Sequence, residues 1–209
     1  MEHSHPPAVF VIDDDKAILD CIAILFQSVS IPCEGYLSAE EFLRVFDRTR
    51  PGCVVADVRM PGMSGLELLA ELAARKSQIP VILISGYADV PMAVSAMKTG
   101  AFYFFQKPFQ PQDLLDQVQA AIRKDAADRE QIRRYEEVQH KAGLLSPRER
   151  EIFHLIGRGR TNKEVAATIG LKIKTVEFHR GHVMMKMQAA TLSDLIQMHI
   201  LATSNWGKP

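Results

Sequence analysis

Long apolar runs are missing from this chain of 209 residues. No window approaches the ~18 consecutive apolar residues of a membrane-spanning helix, and the N-terminus lacks the basic patch and apolar stretch of a secretory leader. The expected protein is therefore soluble and cytoplasmic, with no membrane partner. Cysteine is scarce: Cys21, Cys33 and Cys53 make an odd count without CxxC or paired His spacing. A disulfide framework and a zinc ribbon are both excluded, and since each cysteine lies in an apolar run the three are predicted to be reduced core thiols. Net charge is absent as well, with 25 Lys/Arg against 25 Asp/Glu. That balance hides an asymmetry, because residues 143–209 hold ten basic and five acidic side chains while the remainder holds 15 and 20. A basic third behind an acidic body points to a polyanion partner for that third. With 47% apolar residues the chain has material for cores, and its length suits two domains.

The most informative stretch is Val54-Val55-Ala56-Asp57-Val58-Arg59-Met60-Pro61-Gly62. A short apolar run ends in one carboxylate, and the Pro-Gly turn behind it cannot extend a strand, so Asp57 is expected at the carboxyl end of a buried strand. Taken alone, such an Asp could equally cap the following turn. Ala8 to Ile12 is a similar run closed by Asp13-Asp14-Asp15, followed by helical spacing at Ile18, Cys21, Ile22 and Leu25. Further strands are predicted at Ile31 to Leu37, Cys53 to Asp57, Ile79 to Ile84 and Ala101 to Phe105. Capping boxes at Ser38–Glu41 and Ser64–Glu67 open two of the intervening helices, another runs from about Val90 to Lys98, and a last one starts at Pro111. Strand-helix repeats in this order imply an α/β fold: a doubly wound, five-stranded parallel sheet of flavodoxin-like type.

In such a sheet the carboxyl ends of the strands share one rim. Asp13, Asp14, Asp57, Ser85 and Lys107 are all expected there. Crowded carboxylates stay ionised only with a cation among them, and an all-oxygen site suits Mg²⁺. Lys107 and Ser85 would hold a tetrahedral anion beside Asp57, the arrangement of a carboxylate nucleophile that accepts a phosphoryl group. Two rivals fail on the residues. A calcium loop needs Gly and Glu where Ile18 and Ile24 stand, and a phosphohydrolase with a DxD pair needs an acid where Arg59 stands.

The Asp13-Asp14 pair, the Asp57 context, Ser85-Gly86, the run from Asp89 to Ala101 and Lys107-Pro108-Phe109 together resemble the receiver domain of a two-component response regulator, over about residues 6 to 124. The resemblance implies Asp57 as phosphoacceptor, with Mg²⁺ on Asp14, Asp57 and the backbone carbonyl of Arg59, and Asp13 contributing partly through water. It implies Lys107 on the phosphoryl oxygens, Ser85 swinging to meet them, and Phe104 as the aromatic switch. Any chemistry would be limited to Mg-dependent self-phosphorylation and autodephosphorylation at Asp57, so the protein is not expected to be an enzyme in its own right.

From Ala120 to about Ala142 the composition turns to charged helix formers without a sustained heptad, which predicts a helical linker over residues 125–142. Residues 143–209 then read as a small all-α domain. Capping boxes at Ser146–Glu149, Thr161–Glu164 and Thr191–Asp194 open three helices, and a longer one spans about Ile173 to Met187 with Val176, Val183 and Met187 facing inward. This is a helix-turn-helix. Leu145-Ser-Pro-Arg-Glu-Arg-Glu151, Gly159 to Ala166 and Thr175 to Met187 resemble the LuxR-type DNA-binding domain, and its pairing with a receiver resembles the FixJ/NarL class. The resemblance implies Lys174, Glu177, Phe178 and Gly181 on the base-reading face, with Lys163 and Lys186 as phosphate contacts. One departure is Lys172, which stands where a small N-cap residue is usual and cannot accept the free amide hydrogen bonds.

The combined reading is a phosphorylation-dependent transcriptional regulator: a sensor histidine kinase donates to Asp57, the receiver dimerises through Val94, Met97 and Lys98, and two recognition helices meet two half-sites on promoter DNA, with RNA polymerase as a further contact. The alternatives are a receiver that acts by protein contact without phosphorylation, and a metal-dependent phosphatase.

Overall fold

The computed structural model describes residues 6–87 and 90–204; Asp89 and residues 205–209 lie outside the described residues. The chain divides into two compact units, one up to Asp128 and one from Arg129 onward. In the first unit strand β1 (Ala8–Ile12) leads into α1 (Lys16–Ser28), then β2 (Cys33–Tyr36), α2 (Ala39–Val45), β3 (Gly52–Asp57), α3 (Gly65–Ala74), β4 (Val81–Ser85), α4 (Val90–Thr99) and β5 (Tyr103–Gln106). The strands pair in the order β2-β1-β3-β4-β5, every neighbour parallel. The expected five-stranded parallel sheet is the one formed.

Alternation along the strands builds two cores, because successive side chains leave a strand on opposite faces. Phe10, Ile12, Val54, Ala56 and Leu83 pack with Phe42 of α2, Leu68 and Leu72 of α3 and Ala96 of α4. Val9, Val11, Val55, Ile82 and Ile84 pack on the other face with Leu19, Ile22 and Phe26 of α1 and Leu114, Val118 and Ala121 of the helix after β5. Of the expected stripe Ile18, Cys21, Ile22 and Leu25, Ile22 is buried and Ile18 and Leu25 are partly buried, while the stripe's centre shifts one step round to Leu19, Ile22 and Phe26. Cys21 is consequently exposed and is not a core thiol, whereas Cys53 is buried, and burial pushes its thiol well above the ordinary range. Cys33 is half-buried and its thiol is pushed up to about 11, by burial first and by Glu34 second. All three are free.

The helix after β5, α5, runs without a break from Pro111 to Gly143. Its stretch 125–142 is not solvated throughout as expected of a linker. Asp125 is buried and its Oδ2 accepts from Gly52 N–H at 2.9 Å, while Val138 is buried among the residues of the second unit's core. Ionic pairs one turn apart, such as Glu130 with Arg134 and Glu137 with Lys141, line its exposed side.

The second unit continues with α6 (Pro147–Gly157), α7 (Asn162–Ile169), α8 (Ile173–Met187) and α9 (Leu192–Thr203). All the expected capping boxes of this unit close reciprocally, at Ser146 with Glu149, Thr161 with Glu164 and Thr191 with Asp194. In the first unit Ser64 and Glu67 also close one, but at α2 the reciprocal bond is displaced by a residue: Ser38 accepts from Glu41 N–H and the Glu41 carboxylate accepts from Leu37 N–H. Gly170 ends α7 in the left-handed region at φ 68°, as a C-terminal glycine should. The core joins Ile152, Phe153 and Ile156 to Val165, Val176, Val183, Met187 and Leu195.

At the edge of this core a buried imidazole, His199 of α9, lies against α6. A Cβ at Gly157 would stand 2.0 Å from the ring, so only glycine admits it. Its Nε2 is 3.2 Å from His154 Nδ1, a hydrogen bond in which one ring must donate. Burial, followed by the charges of His154 and Arg158, holds the His199 pKa below its ordinary 6.5. A base that is harder to protonate when folded favours the unfolded chain once the pH falls through that ordinary value. We predict that urea denaturation of the full-length protein shows this unit losing stability between about pH 7.5 and about pH 5.5, and that His199→Gln lessens the loss. An unchanged pH dependence in that variant would contradict it.

Candidate functional site

Asp57 ends β3 on the carboxyl rim of the sheet, where the strand's hydrogen bonding gives way to the turn at Arg59 to Gly62. Its carboxylate is only 8% exposed. One oxygen, Oδ2, accepts from Arg59 N–H at 2.6 Å, and the other, Oδ1, from Lys107 Nζ at 2.8 Å. Lys107 follows β5 and also reaches Asp13 Oδ2 at 3.3 Å, so one ammonium serves two carboxylates that arrive from different strands. Asp13, at the end of β1, is buried as well, and its other oxygen accepts from Asp15 N–H at 2.9 Å. Burial is the leading reason that the Asp13 pKa stands above its ordinary value; the Asp15 N–H and Lys107 pull it down and Asp57 pushes it up. Burial works against the Lys107 charge, but the hydrogen bond to Asp57 and the charges of Asp13 and Asp57 outweigh it and hold the ammonium above its usual range. A group raised this way stays a cation across the physiological range.

Asp13, Asp57 and Lys107 are thus brought together. Asp14 is exposed, and among the described residues no group of three His, Cys, Asp or Glu side chains is gathered closely enough to hold a metal ion. The expected crowd of three carboxylates is replaced by two bridged by a lysine. Ser85 ends β4 beside Asp57 with its side chain fully buried. Its hydroxyl accepts from Tyr87 N–H at 3.3 Å and meets Met92 Sδ of α4 at 4.0 Å. Phe104 of β5 is half-buried against the core on the α4 face, while Val94, Met97 and Lys98 are exposed on α4.

Sequence reasoning missed three parts of this rim. Asp15 caps α1 by accepting from Ala17 N–H at 2.8 Å, the Glu40 carboxylate of α2 accepts from Met63 N–H at 2.9 Å and so pins the loop after Asp57, and the Arg59 guanidinium lies 4.9 Å over the Tyr87 ring. A helix-capping Asp was visible in the acidic turn. Glu40 and Tyr87 meet residues far from them in sequence, and no local pattern announces either contact.

In the second unit α8 turns Val176, Val183 and Met187 inward, which leaves Lys174, Glu177, Phe178 and Gly181 exposed along one stripe. Lys172 offers no side-chain cap, yet the helix is formed from Ile173 with the Lys172 carbonyl accepting from Thr175 and Val176 N–H. Lys163 is exposed in the first turn of α7. Lys186 differs from expectation: its Nζ lies 2.6 Å from Oε2 of the buried Glu149 and 3.4 Å from the Leu144 carbonyl. The same Oε2 accepts from Ser146 N–H at 2.8 Å, so the capping carboxylate of α6 is also the anchor of α8. Chiefly through Lys186, against burial and with help from Ser146, the Glu149 pKa is lowered to about 2. Removing the lysine would strand a buried charge. Lys186→Ala should therefore destabilise the protein by about 1–3 kcal/mol in urea denaturation at neutral pH, and unchanged stability would show that the pair is ornamental.

Comparison with known proteins matches these two units to two families. Residues 9–119 match the response regulator receiver domain, and residues 143–199 match the LuxR family of bacterial regulatory proteins. Nodulation protein W of Bradyrhizobium diazoefficiens is 44% identical over 197 residues, covering 94% of this chain and 87% of that protein. The transcriptional regulatory protein FixJ of Azorhizobium caulinodans is 42% identical over 194 residues, covering 93% of this chain and 92% of its own. The solved structure of the response regulator StyR superposes with a TM-score of 0.83 at 35% identity, over 93% of this chain and 98% of that one. Among the described residues no helix is long and apolar enough to cross a membrane. The chain belongs to the response regulators that join a receiver domain to a LuxR-type DNA-binding domain, and it is a phosphorylation-dependent regulator of transcription.

Proposed function

We propose that Asp57 is the phosphoacceptor and that a sensor histidine kinase is the donor. A carboxylate oxygen of Asp57 attacks phosphorus, the bond to the donor imidazole nitrogen breaks, and its electron pair returns to the ring. The observation that carries this reading is a nearly buried carboxylate at a strand end, held at 2.8 Å by a lysine that another carboxylate shares. Lys107 is already placed to follow the charge onto the phosphoryl oxygens. For Ser85 to reach them its hydroxyl must give up Tyr87 N–H and Met92, which couples the acceptor to α4, with Phe104 as the aromatic switch of this reading.

In chemical type the donors suit a hard divalent cation, provided that Asp14 turns in to join Asp13 and Asp57, which are not gathered as a set of three. Two carboxylates, Asp13 and Asp57, face one another across a single ammonium and raise the local need for positive charge, and all the available donors are oxygens. Asp14, Asp57 and the Arg59 carbonyl would hold Mg²⁺, with Asp13 contributing partly through water. Bound there, the ion would neutralise charge on the acceptor and the incoming group.

Phosphoryl transfer then favours a dimer through Val94, Met97 and Lys98 of α4. Two copies of α8 enter the major groove at two half-sites, in cytoplasm, near RNA polymerase. Lys174, Glu177, Phe178 and Gly181 read bases, with Glu177 suited to accept from cytosine N4, and Lys163 meets phosphate. Lys186, named at first as a second phosphate contact, is better assigned to holding Glu149.

Labelling with a small acyl-phosphate donor and Mg²⁺ tests the site. The native protein should take up one phosphoryl group per chain, Asp57→Asn should take up none, and Asp14→Ala should recover uptake only at raised Mg²⁺. Undiminished labelling of Asp57→Asn would place the acceptor elsewhere.

A further inference from the structure

Phe178 carries a large ring that is 62% exposed on the outward stripe of α8. A free phenylalanine there would sample several rotamers and read nothing well, so a ring that reads bases must be held. Its neighbour one turn on, His182, supplies a face: the two ring centroids are 4.3 Å apart with planes tilted by 53°. His182 is in turn directed from inside the domain. Its Nδ1 faces Glu149 Oε1 at 3.6 Å, just beyond a normal hydrogen bond, and Glu149 is locked by Lys186 and by Ser146 N–H. A continuous set of contacts therefore runs from a buried carboxylate to an exposed aromatic ring.

The surface that this ring belongs to mixes charged side chains with large apolar ones. Along the stripe, Lys174 is followed by Glu177, Phe178, Gly181 and Met185, and Met185 is as exposed as Phe178. The Phe178 ring itself cannot pair with phosphates. It suits the one apolar group that the major groove displays, the C5-methyl of thymine.

We propose that His182 is a specificity-determining positioning residue: braced by Glu149, it holds the Phe178 ring against a thymine methyl in each half-site. This rests on the reading that α8 enters the major groove. His182 itself need not touch the base.

The test uses full-length protein and a duplex selected from a randomised pool by that protein, compared with the same duplex carrying deoxyuridine for thymine at single positions. Loss of one buried methyl should weaken native binding by roughly fourfold at one position of each half-site. Phe178→Ala should bind the two duplexes equally at that position. His182→Ala, with a native circular dichroism spectrum, should do the same, and the double variant should show no further change in the ratio, because both residues act through one contact. If His182→Ala keeps the native ratio while Phe178→Ala loses it, the positioning role is wrong although the groove placement stands. If no position distinguishes thymine from deoxyuridine in the native protein, Phe178 does not read a methyl and the proposal falls with it.

Discussion

One ammonium shared between two buried carboxylates is the constraint on which the receiver half depends. Asp13, Asp57 and Lys107 leave three different strands, and they meet because parallel strands with helical crossovers place every carboxyl end on the same rim. Burial makes the arrangement responsive. In bulk water each carboxylate would be solvated independently, whereas here the Asp57 charge pushes the Asp13 pKa up while the lysine between them pulls it down. With Asp57 as the phosphoacceptor proposed above, conversion of its carboxylate to an acyl phosphate would take the charge there from −1 to about −2 and add phosphoryl oxygens, a change that a single shared lysine cannot balance.

The second unit repeats the device with a different outcome. Glu149 is also a buried carboxylate tied to one lysine, but its partners are the first turn of α6 and the last turn of α8, so the pair fixes the helix that faces outward. There the lysine is a structural cation and no acceptor chemistry surrounds it. The same residue pair lies at a strand end in one unit and braces two helices in the other, and what each can do is decided by what else lies within reach.

Much of this is legible in the sequence, for physical reasons. Capping boxes are encoded within three residues, so Ser64, Ser146, Thr161 and Thr191 could be read directly. Buried parallel strands are continuous apolar runs, which made Asp57 and Asp13 recognisable as rim residues. Helix phase was less secure: Ile22 belongs equally to a stripe with Ile18, Cys21 and Leu25 and to one with Leu19 and Phe26, and only packing on the sheet chooses between them. Contacts distant in sequence were illegible. Nothing near Lys186 announces Glu149, nothing near Glu40 announces Met63, and the bridging of Asp13 and Asp57 by Lys107 appears only once three strands are assembled.

The central claim is that charge at Asp57 controls what the second unit does on DNA. The most direct measurement is the affinity of the full-length protein for a promoter duplex carrying two half-sites, with and without an acyl-phosphate donor and Mg²⁺, for the native chain and for Asp57→Asn. The account predicts that the donor tightens binding by the native protein and leaves Asp57→Asn unchanged. Equal tightening of both proteins, or none in the native chain once its phosphorylation is verified, would contradict it.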